Sequence, residues 1–364
     1  MRALVRRLDL PKGRRVLIVS DVHGNLPFLK GLLKKVTFTK NDILVVLGDV
    51  LEKSVGGLET LQYVMELGKN YTVYMINGNC DDITPAFLDG GRNVPDSFYP
   101  YYFKKFGEKC ALVRMAHLAG ASLEDPADYP AAKRAILEKF GPEVDFLRGL
   151  PTVLYNDDYI LVHGGVPRED RLEELDANAC MKNDAFLEQD HAFRRWVVAG
   201  HWPVTLYHAH IPSAKPILDE ARHIASIDGG CTLKLDGQLN ALILPETPGG
   251  ALTYAAYDGN PVLTALDDQA ASKTSVNIRW GRSRVEVLDR GPEFCRCRHV
   301  ETGRELDILT DYLYELEDGF HCEDSTDHRL PVRAGDRLSV VRRTSKCALV
   351  NKDGATGWYF GRLT

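Results

Sequence analysis

Arg15-Val16-Leu17-Ile18-Val19-Ser20-Asp21-Val22-His23 is the stretch on which the reading of this chain turns. Its first part is a short apolar run without polar alternation, the pattern of a strand buried on both faces. Its last part sets a carboxylate and an imidazole two residues apart, directly after that strand. In an extended segment the side chains at i and i+2 point the same way, so Asp21 and His23 can grip one cation. Taken alone, D-x-H arises often by chance, and the residues downstream decide its meaning.

The same arrangement recurs along the chain. From Asn25 on, Leu26, Leu29, Leu32, Leu33 and Val36 return at helical spacing. Asp42 to Leu47 (DILVVL) reads as a second strand and runs into Gly48-Asp49; Leu58 to Leu67 reads as a second helix. Tyr71 to Ile76 (YTVYMI) is a third strand and leads to Gly78-Asn79. Strand, helix, strand, helix, strand predicts parallel strands with right-handed crossovers in an α/β architecture. The polar residues then fall past the C-terminal ends of the strands, where such sheets place their sites. Strand-like runs resume at Tyr159 to Val162, Trp196 to Ala199, Ile224 to Ile227 and Leu239 to Leu244, the last two reading as a β-meander. His163 (in VHGG) and His201 (in AGHWPV) each come directly after one of these runs. Gly-Asp and Gly-Asn are ordinary turn chemistry, and a lone histidine is more often a core or surface residue than a ligand. Five strand-like runs that each end in Asp, Asn or His are another matter, since these side chains suit Mn, Fe or Zn.

The ordered series D-x-H, G-D-x-x-x-[R/K], G-N-x-[D/E], H-G-G and G-H-x-P, over residues 15 to 245, resembles the calcineurin-like metallophosphoesterases. Within them it is most similar to the serine/threonine phosphoprotein phosphatases and their bacterial relatives, including symmetric dinucleoside tetraphosphate hydrolases. Leu150-Pro151 and Ile227-Asp228-Gly229-Gly230-Cys231 also look like that branch. The resemblance implies a β-sandwich flanked by helices and two divalent metal ions, Mn, Fe or Zn, with Mn favoured in vitro. It implies that Asp21, His23 and Asp49 bind one ion and Asp49, Asn79, His163 and His201 the other, with Asp49 bridging. A metal-bound hydroxide would attack phosphorus in line, making the chain a phosphatase of phosphomonoesters on proteins or small molecules. A phosphodiesterase or a dinucleoside polyphosphate hydrolase is the alternative; a non-catalytic binding module is a third reading.

This sequence departs from the family pattern at the acid. The phosphoprotein phosphatases carry a histidine after the motif asparagine, paired with an aspartate in the second motif; here those places hold Cys80 and Glu52. A thiol is a poor proton donor beside an imidazolium, so substrates whose leaving groups need little protonation are expected, with Glu52, Asp81 or Asp82 as substitutes. Cys80 also occurs in a branch that cleaves phosphodiesters, or can be a small buried filler beside the metals. Lys53 stands where the family has a phosphate-binding arginine, and it keeps the charge but not the bidentate fork. Asn25, Lys53 and Asn79 are the candidate substrate-binding residues, with Asp49, Glu52, Cys80 and Asp81 the candidate catalytic ones. Arg194 and Arg195 are further phosphate-binding candidates; His208 and His210 are read as surface or supporting residues.

The 364 residues, 44% hydrophobic and 26% charged, suit a globular protein of more than one domain. A net charge of -6 argues against a general nucleic-acid binder. Met1 to Leu10 lacks the apolar core of a signal peptide, no run approaches a membrane span, and the eight cysteines are scattered. A cytoplasmic protein with free thiols and no membrane partner is expected. The organisation expected is a catalytic domain over 1–250 with a helical excursion at 83–150, a linker at 251–275, and a β-rich region at 276–364. There Arg284 to Leu288 resembles Arg337 to Val341, and the ending GWYFGRL is similar to the last strands of bacterial SH3-like barrels. Two such barrels in tandem, or one irregular β domain, open to a protein or peptide partner, are the expectation.

Overall fold

A computed structural model of the protein describes every residue except 92, 93 and 248; the first two, within the helical excursion expected at 83–150, thus lie outside the described residues. The chain forms two units, the first made of Met1–Trp202, Pro216–Leu233 and Leu239–Tyr257. In chain order the first unit runs β1 (Val5–Arg7), β2 (Val16–Val19), α1 (Leu26–Lys35), β3 (Ile43–Val46), α2 (Gly57–Asn70) and β4 (Thr72–Met75). Four helices come next as an excursion, α3 (Ile83–Asp89), α4 (Phe98–Phe106), α5 (Ala111–Leu118) and α6 (Tyr129–Arg148). Then come β5 (Val153–Tyr155), β6 (Tyr159–Val162), α7 (Ala177–Met181), β7 (Trp196–Ala199), β8 (Ile217–Asp219), β9 (Ile224–Ser226), β10 (Leu239–Ile243) and β11 (Thr253–Tyr257).

The unit is an α/β sandwich of two sheets, ordered β1-β5-β6-β7-β9-β8 and β11-β10-β2-β3-β4. β2, β3 and β4 are parallel, as the alternation with helices predicts. Their unbroken apolar runs reflect burial on both faces. Leu17, Val19, Leu44 and Val46 meet Leu29, Leu32 and Leu61 of the covering helices. Val16, Ile18, Ile43 and Val45 point the other way and join Leu154, Leu161 and Val198 of the other sheet, because successive side chains of a strand alternate between faces. Residues at the C-terminal ends of strands in both sheets are thereby brought to one edge of the sandwich.

The excursion has its own core, in which Phe87, Phe103, Leu112, Met115, Ile136 and Phe140 are buried together. Helix α6 continues past the expected Pro130–Phe140 span but bends at Phe140, whose φ and ψ are −119° and 25°, two residues before Pro142.

Two expectations are corrected. β9 and β10 are no hairpin: β9 pairs with β7 and β8, β10 with β2 and β11. The glycine-rich connection between them carries the chain from one sheet to the other. The span 251–275, expected as a linker, begins with β11, paired along its length with β10.

The second unit comprises Asp258–Thr364 together with Pro203–Lys215 and Lys234–Gln238, two loops that interrupt the first unit's sequence. It is all strand, turn and short 3-10 structure. Both halves of the expected repeat fold as three-stranded antiparallel meanders, Val285–Asp289 with Phe294–His299 and Glu305–Leu309, and Arg337–Arg343 with Ala348–Lys352 and Ala355–Tyr359. Each first strand carries a register shift at the corresponding place, Val287/Asp289 and Val340/Arg342. Among the described residues, no helix is long and apolar enough to cross a membrane.

Candidate metal centre

The loops after β2, β3, β4, β6 and β7 meet at the edge of the sandwich, held by backbone hydrogen bonds between them. Asp21 N–H donates to Gly48 O (3.1 Å) and His23 N–H to Asp49 O (2.9 Å). The His201 amide donates to Asp21 Oδ2 (2.9 Å) and the Cys80 amide to Asp49 Oδ1 (2.8 Å). The motif glycines are required by this closeness: a Cβ on Gly78 would meet Asp49 Oδ1, and one on Gly200 would meet Ser20 Oγ and Asp21 Oδ2.

Asp21, His23, Asp49 and His201 have φ of 54°, 47°, 51° and 66°. Left-handed backbone is uncommon outside glycine and costs of order 1–3 kcal/mol per residue. Its concentration in the expected ligands marks a conformation held for the site. This replaces the extended D-x-H geometry: Asp21 and His23 converge through left-handed turns after β2, not through strand alternation.

The side chains converge. His23 Nε2 lies 3.8 Å from Asp21 Oδ1 and 3.8 Å from Asp49 Oδ2. His163 Nε2 lies 3.4 Å from Asp49 Oδ1 and 3.3 Å from Asn79 Oδ1. One ligand atom each from Asp49, His163 and His201 falls within a 4.8 Å set, with Asp49 shared by a second such set. Each imidazole is fixed from behind. Nδ1 of His23 and of His163 faces a main-chain carbonyl, Leu51 O (3.4 Å) and Leu47 O (2.7 Å), which leaves Nε2 free as a ligand. His201 is turned the other way, with Nε2 at 2.8 Å from Asp184 Oδ1. Asp184 is a residue that sequence reasoning missed; it lies in an irregular segment without periodicity, and only its place in space reveals it.

Asp21 is 1% exposed, and its Oδ1 has no hydrogen-bond partner. A buried carboxylate oxygen without a donor is costly unless a cation meets it, and the donors around it are oxygen and imidazole nitrogen, the chemistry of a divalent metal site. These residues fit the ions that the family pattern implies. As protein groups alone they already act as a coupled ion pair. Burial disfavours both charges, yet the His163 imidazolium holds Asp49 well below the usual carboxylate range, and Asp49 raises His163 to about 10. Burial pushes His201 below its ordinary value, as a neutral ligand requires.

The structure redirects several other candidates. Glu52 is fully buried, with Oε2 accepting from Tyr102 Oη and Oε1 from the Ala111 amide, both at 3.0 Å. It therefore anchors α4 and the start of α5, and burial pushes its pKa up to about 7. Asp81 accepts from the Val50 and Leu51 amides (3.0 Å each) and the Gly78 amide (3.3 Å), bracing the loop that carries Asp49. Burial and the charge of Asp49 raise its pKa to about 7 against the pull of those donors. Asp82 Oδ1 accepts a hydrogen bond from the Asn77 side-chain Nδ2 at 3.2 Å. Cys80 is 3% exposed, and burial, then Asp49, pushes its thiol well above the usual range. Asn25 caps α1, its side chain accepting from the Phe28 amide at 3.2 Å. Lys53 lies over the aromatic face of α4, its Nζ 4.1 Å from the Phe106 ring centroid.

Arg194 and Arg195 do not belong to the site. They precede β7, whose far end leads to His201, and at about 3.3 Å per residue the strand separates them from it. Their amides donate to Glu169 Oε2 at 3.1 and 3.0 Å. Glu169 is thus a structural acceptor. His208 and His210 lie in the second unit, where His210 Nδ1 is 3.1 Å from Ser275 O.

Over 80 residues the chain is 39% identical to a symmetrical bis(5'-nucleosyl)-tetraphosphatase of Cronobacter sakazakii (strain ATCC BAA-894) and 38% identical to one of Escherichia coli (strain K12 / DH10B). That span is 21% of this chain and 28% of each relative, so the match covers under a third of the relatives' length. Among solved structures, a protein serine/threonine phosphatase from Saccharomyces cerevisiae superposes with a TM-score of 0.41 and 13% identity, over 71% of this chain and 84% of that one. A metallophosphoesterase from Sphaerobacter thermophilus does so with a TM-score of 0.37 and 19% identity, over 67% and 88%. The family model described as calcineurin-like phosphoesterase matches residues 14–228, more than half of the chain, and the chain belongs to that family.

Proposed function

We propose that this chain is a binuclear metal-dependent phosphatase, acting on substrates whose leaving group departs without needing a proton. The observation that carries the reading is the convergence of the His23 and His163 imidazoles on Asp49, with Asn79 against His163 and, against His23, a buried Asp21 oxygen that has no hydrogen-bond partner. Asp21, His23 and Asp49 would hold one divalent ion, manganese, iron or zinc, and Asp49, Asn79, His163 and His201 the other. When bound, such ions supply Lewis-acid activation of a water nucleophile and neutralise charge on the phosphoryl group.

The chain's own residues do the rest. The carbonyls of Leu47 and Leu51 and the carboxylate of Asp184 orient the imidazoles. Lys53, steadied on Phe106, offers a cation to a phosphate. Of the residues considered as proton donors, Glu52 is bound to the helical excursion, Asp81 to three backbone amides, Asp82 to the Asn77 side chain, and Cys80 is a buried thiol. This favours aryl monoesters and phosphoanhydrides over alkyl esters, and dinucleoside polyphosphates, the substrates in the tetraphosphatase relatives' names, are the anhydrides we favour. We place the enzyme in the cytoplasm, in keeping with its free thiols. The two meanders of the second unit support a reading as tandem SH3-like barrels that take a protein or peptide partner.

The test is a set of initial rates of the manganese-loaded protein on an aryl phosphate, a phosphoserine peptide, a dinucleoside tetraphosphate and an aryl phosphodiester. Aryl phosphate and anhydride turned over well ahead of phosphoserine, with activity abolished in Asp49→Asn, is the expected result. Phosphoserine turned over fastest would sink the leaving-group argument. Activity that survives Asp49→Asn would sink the metal centre.

A further inference from the structure

Cys80 stands apart from the other cysteines by what surrounds its sulfur. One ligand atom each from His23, Asp49 and Cys80 lies within 4.8 Å of the other two, and all three residues are buried. The Cys80 amide is tied to Asp49 Oδ1 at 2.8 Å, so its position is fixed to the carboxylate expected to bridge the metals. The Asn79 side chain spans both halves of the centre: Oδ1 lies 3.3 Å from His163 Nε2, and Nδ2 donates to Cys80 Sγ at 3.4 Å. Independently of the cysteine, Asp21 Oδ1 is buried, unpartnered and 3.8 Å from His23 Nε2.

We propose that Cys80 is a metal ligand, its thiolate completing with Asp21, His23 and Asp49 a four-donor set of two carboxylates, one imidazole and one sulfur. This rests on the metal-centre reading above and adds to it a soft donor. Coordination forms a metal–sulfur bond and breaks the S–H bond, with the proton passing to solvent; no electron is transferred. A metal charge is sufficient to deprotonate a coordinating thiol at neutral pH. Thiolate ligation shifts preference away from hard ions such as manganese and toward zinc or iron. The first site would then differ in metal from the second, whose donors at Asp49, Asn79, His163 and His201 are all oxygen and nitrogen. It also accounts for the missing acid, since a sulfur committed to a metal has no proton to give.

Cobalt(II) titrated into the metal-stripped full-length protein tests this, because thiolate-bound cobalt has a sulfur-to-metal charge-transfer band in the near ultraviolet that oxygen and nitrogen ligands do not produce. The expected result is that band in the wild type, its loss in Cys80→Ser while cobalt still binds, and its retention in Cys231→Ser, a neighbouring buried cysteine control. Cobalt bound to the wild type without the band overturns the thiolate ligand and leaves the metal centre standing. A band that persists in Cys80→Ser overturns it as well, by assigning the sulfur elsewhere. No cobalt bound at all overturns the metal-centre reading and the ligand with it. Should Cys80→Ser fail to fold, Cys80→Ala with circular dichroism as the folding check reads the same band.

Discussion

Asp184 Oδ1 accepts a hydrogen bond from His201 Nε2 at 2.8 Å, while the same ring offers a ligand atom within 4.8 Å of those of Asp49 and His163. The other two histidines are oriented by main-chain carbonyls, which no side-chain substitution removes. His201 alone depends on a side chain, and that side chain is half exposed. Asp184→Ala should therefore fold normally and bind its second metal roughly 10–100-fold more weakly. Chelator competition on wild type and variant measures it; unchanged affinity for both ions would mean that packing alone orients the ring.

Glu52 gives a pH dependence with a definite sign. Its folded pKa is raised, to about 7 from an ordinary value of 4.5, chiefly by burial. The stability it contributes is present in full below pH 4.5 and is lost as pH rises through 7, where the buried carboxyl must ionise. In metal-stripped protein, denaturant unfolding should show the wild type losing up to roughly 3 kcal/mol across that window relative to Glu52→Gln. Parallel profiles would show that the Tyr102 and Ala111 donors already stabilise the ionised form in full. Glu52→Ala should cost about 1–3 kcal/mol by leaving both donors without an acceptor, with faster hydrogen exchange confined to α4 and α5.

Much of the sandwich is legible in the sequence because β2, β3 and β4 are buried on both faces, which writes them as unbroken apolar runs. The proposed ligands are legible because each falls just past such a run, so order and context accumulate where single motifs are ambiguous. What local pattern does not encode is what happens between distant segments. The left-handed conformations of Asp21 and Asp49 are imposed by hydrogen bonds from one loop to the next. The connection after β9 looks like a hairpin because its glycines suit a turn, whereas its partners are strands in different sheets. Glu52 has the chemistry of an acid, and only the packing of Tyr102 and Ala111 against it shows it as an anchor. Asp184 has no neighbour in sequence that points to a role.

Lys53 and Phe106 test the substrate side of the reading. Lys53 Nζ sits 4.1 Å from the Phe106 ring centroid and 5.8 Å from that of Tyr102, so the helical excursion steadies the side chain proposed to hold phosphate. Lys53→Ala should raise KM for any phosphorylated substrate with a smaller change in kcat, the signature of lost uniform binding. Phe106→Ala should reproduce part of it, roughly a two- to tenfold rise in KM, since a cation–π contact is worth about 0.5–2 kcal/mol. Combined, the two changes should fall short of the product of the single effects, because they act through one contact. Full multiplicativity would separate Phe106 from Lys53.

A pair of glycines tests whether the close approach of the loops is what builds the centre. Gly200 has no room for a Cβ, which would run into Ser20 Oγ and Asp21 Oδ2, whereas Gly68, inside α2, has nothing within 4 Å of the same position. Gly200→Ala should therefore cost about 1–3 kcal/mol through forced displacement, and the displaced group, Asp21, is a proposed ligand, so bound metal should fall with stability. Gly68→Ala should instead stabilise the helix by roughly 0.5–1 kcal/mol with metal content unchanged. Thermal unfolding with metal analysis of both proteins decides it. If Gly200→Ala keeps two metals and full stability, the loop after β7 yields freely, and its hydrogen bond from the His201 amide to Asp21 does not set the geometry of the centre.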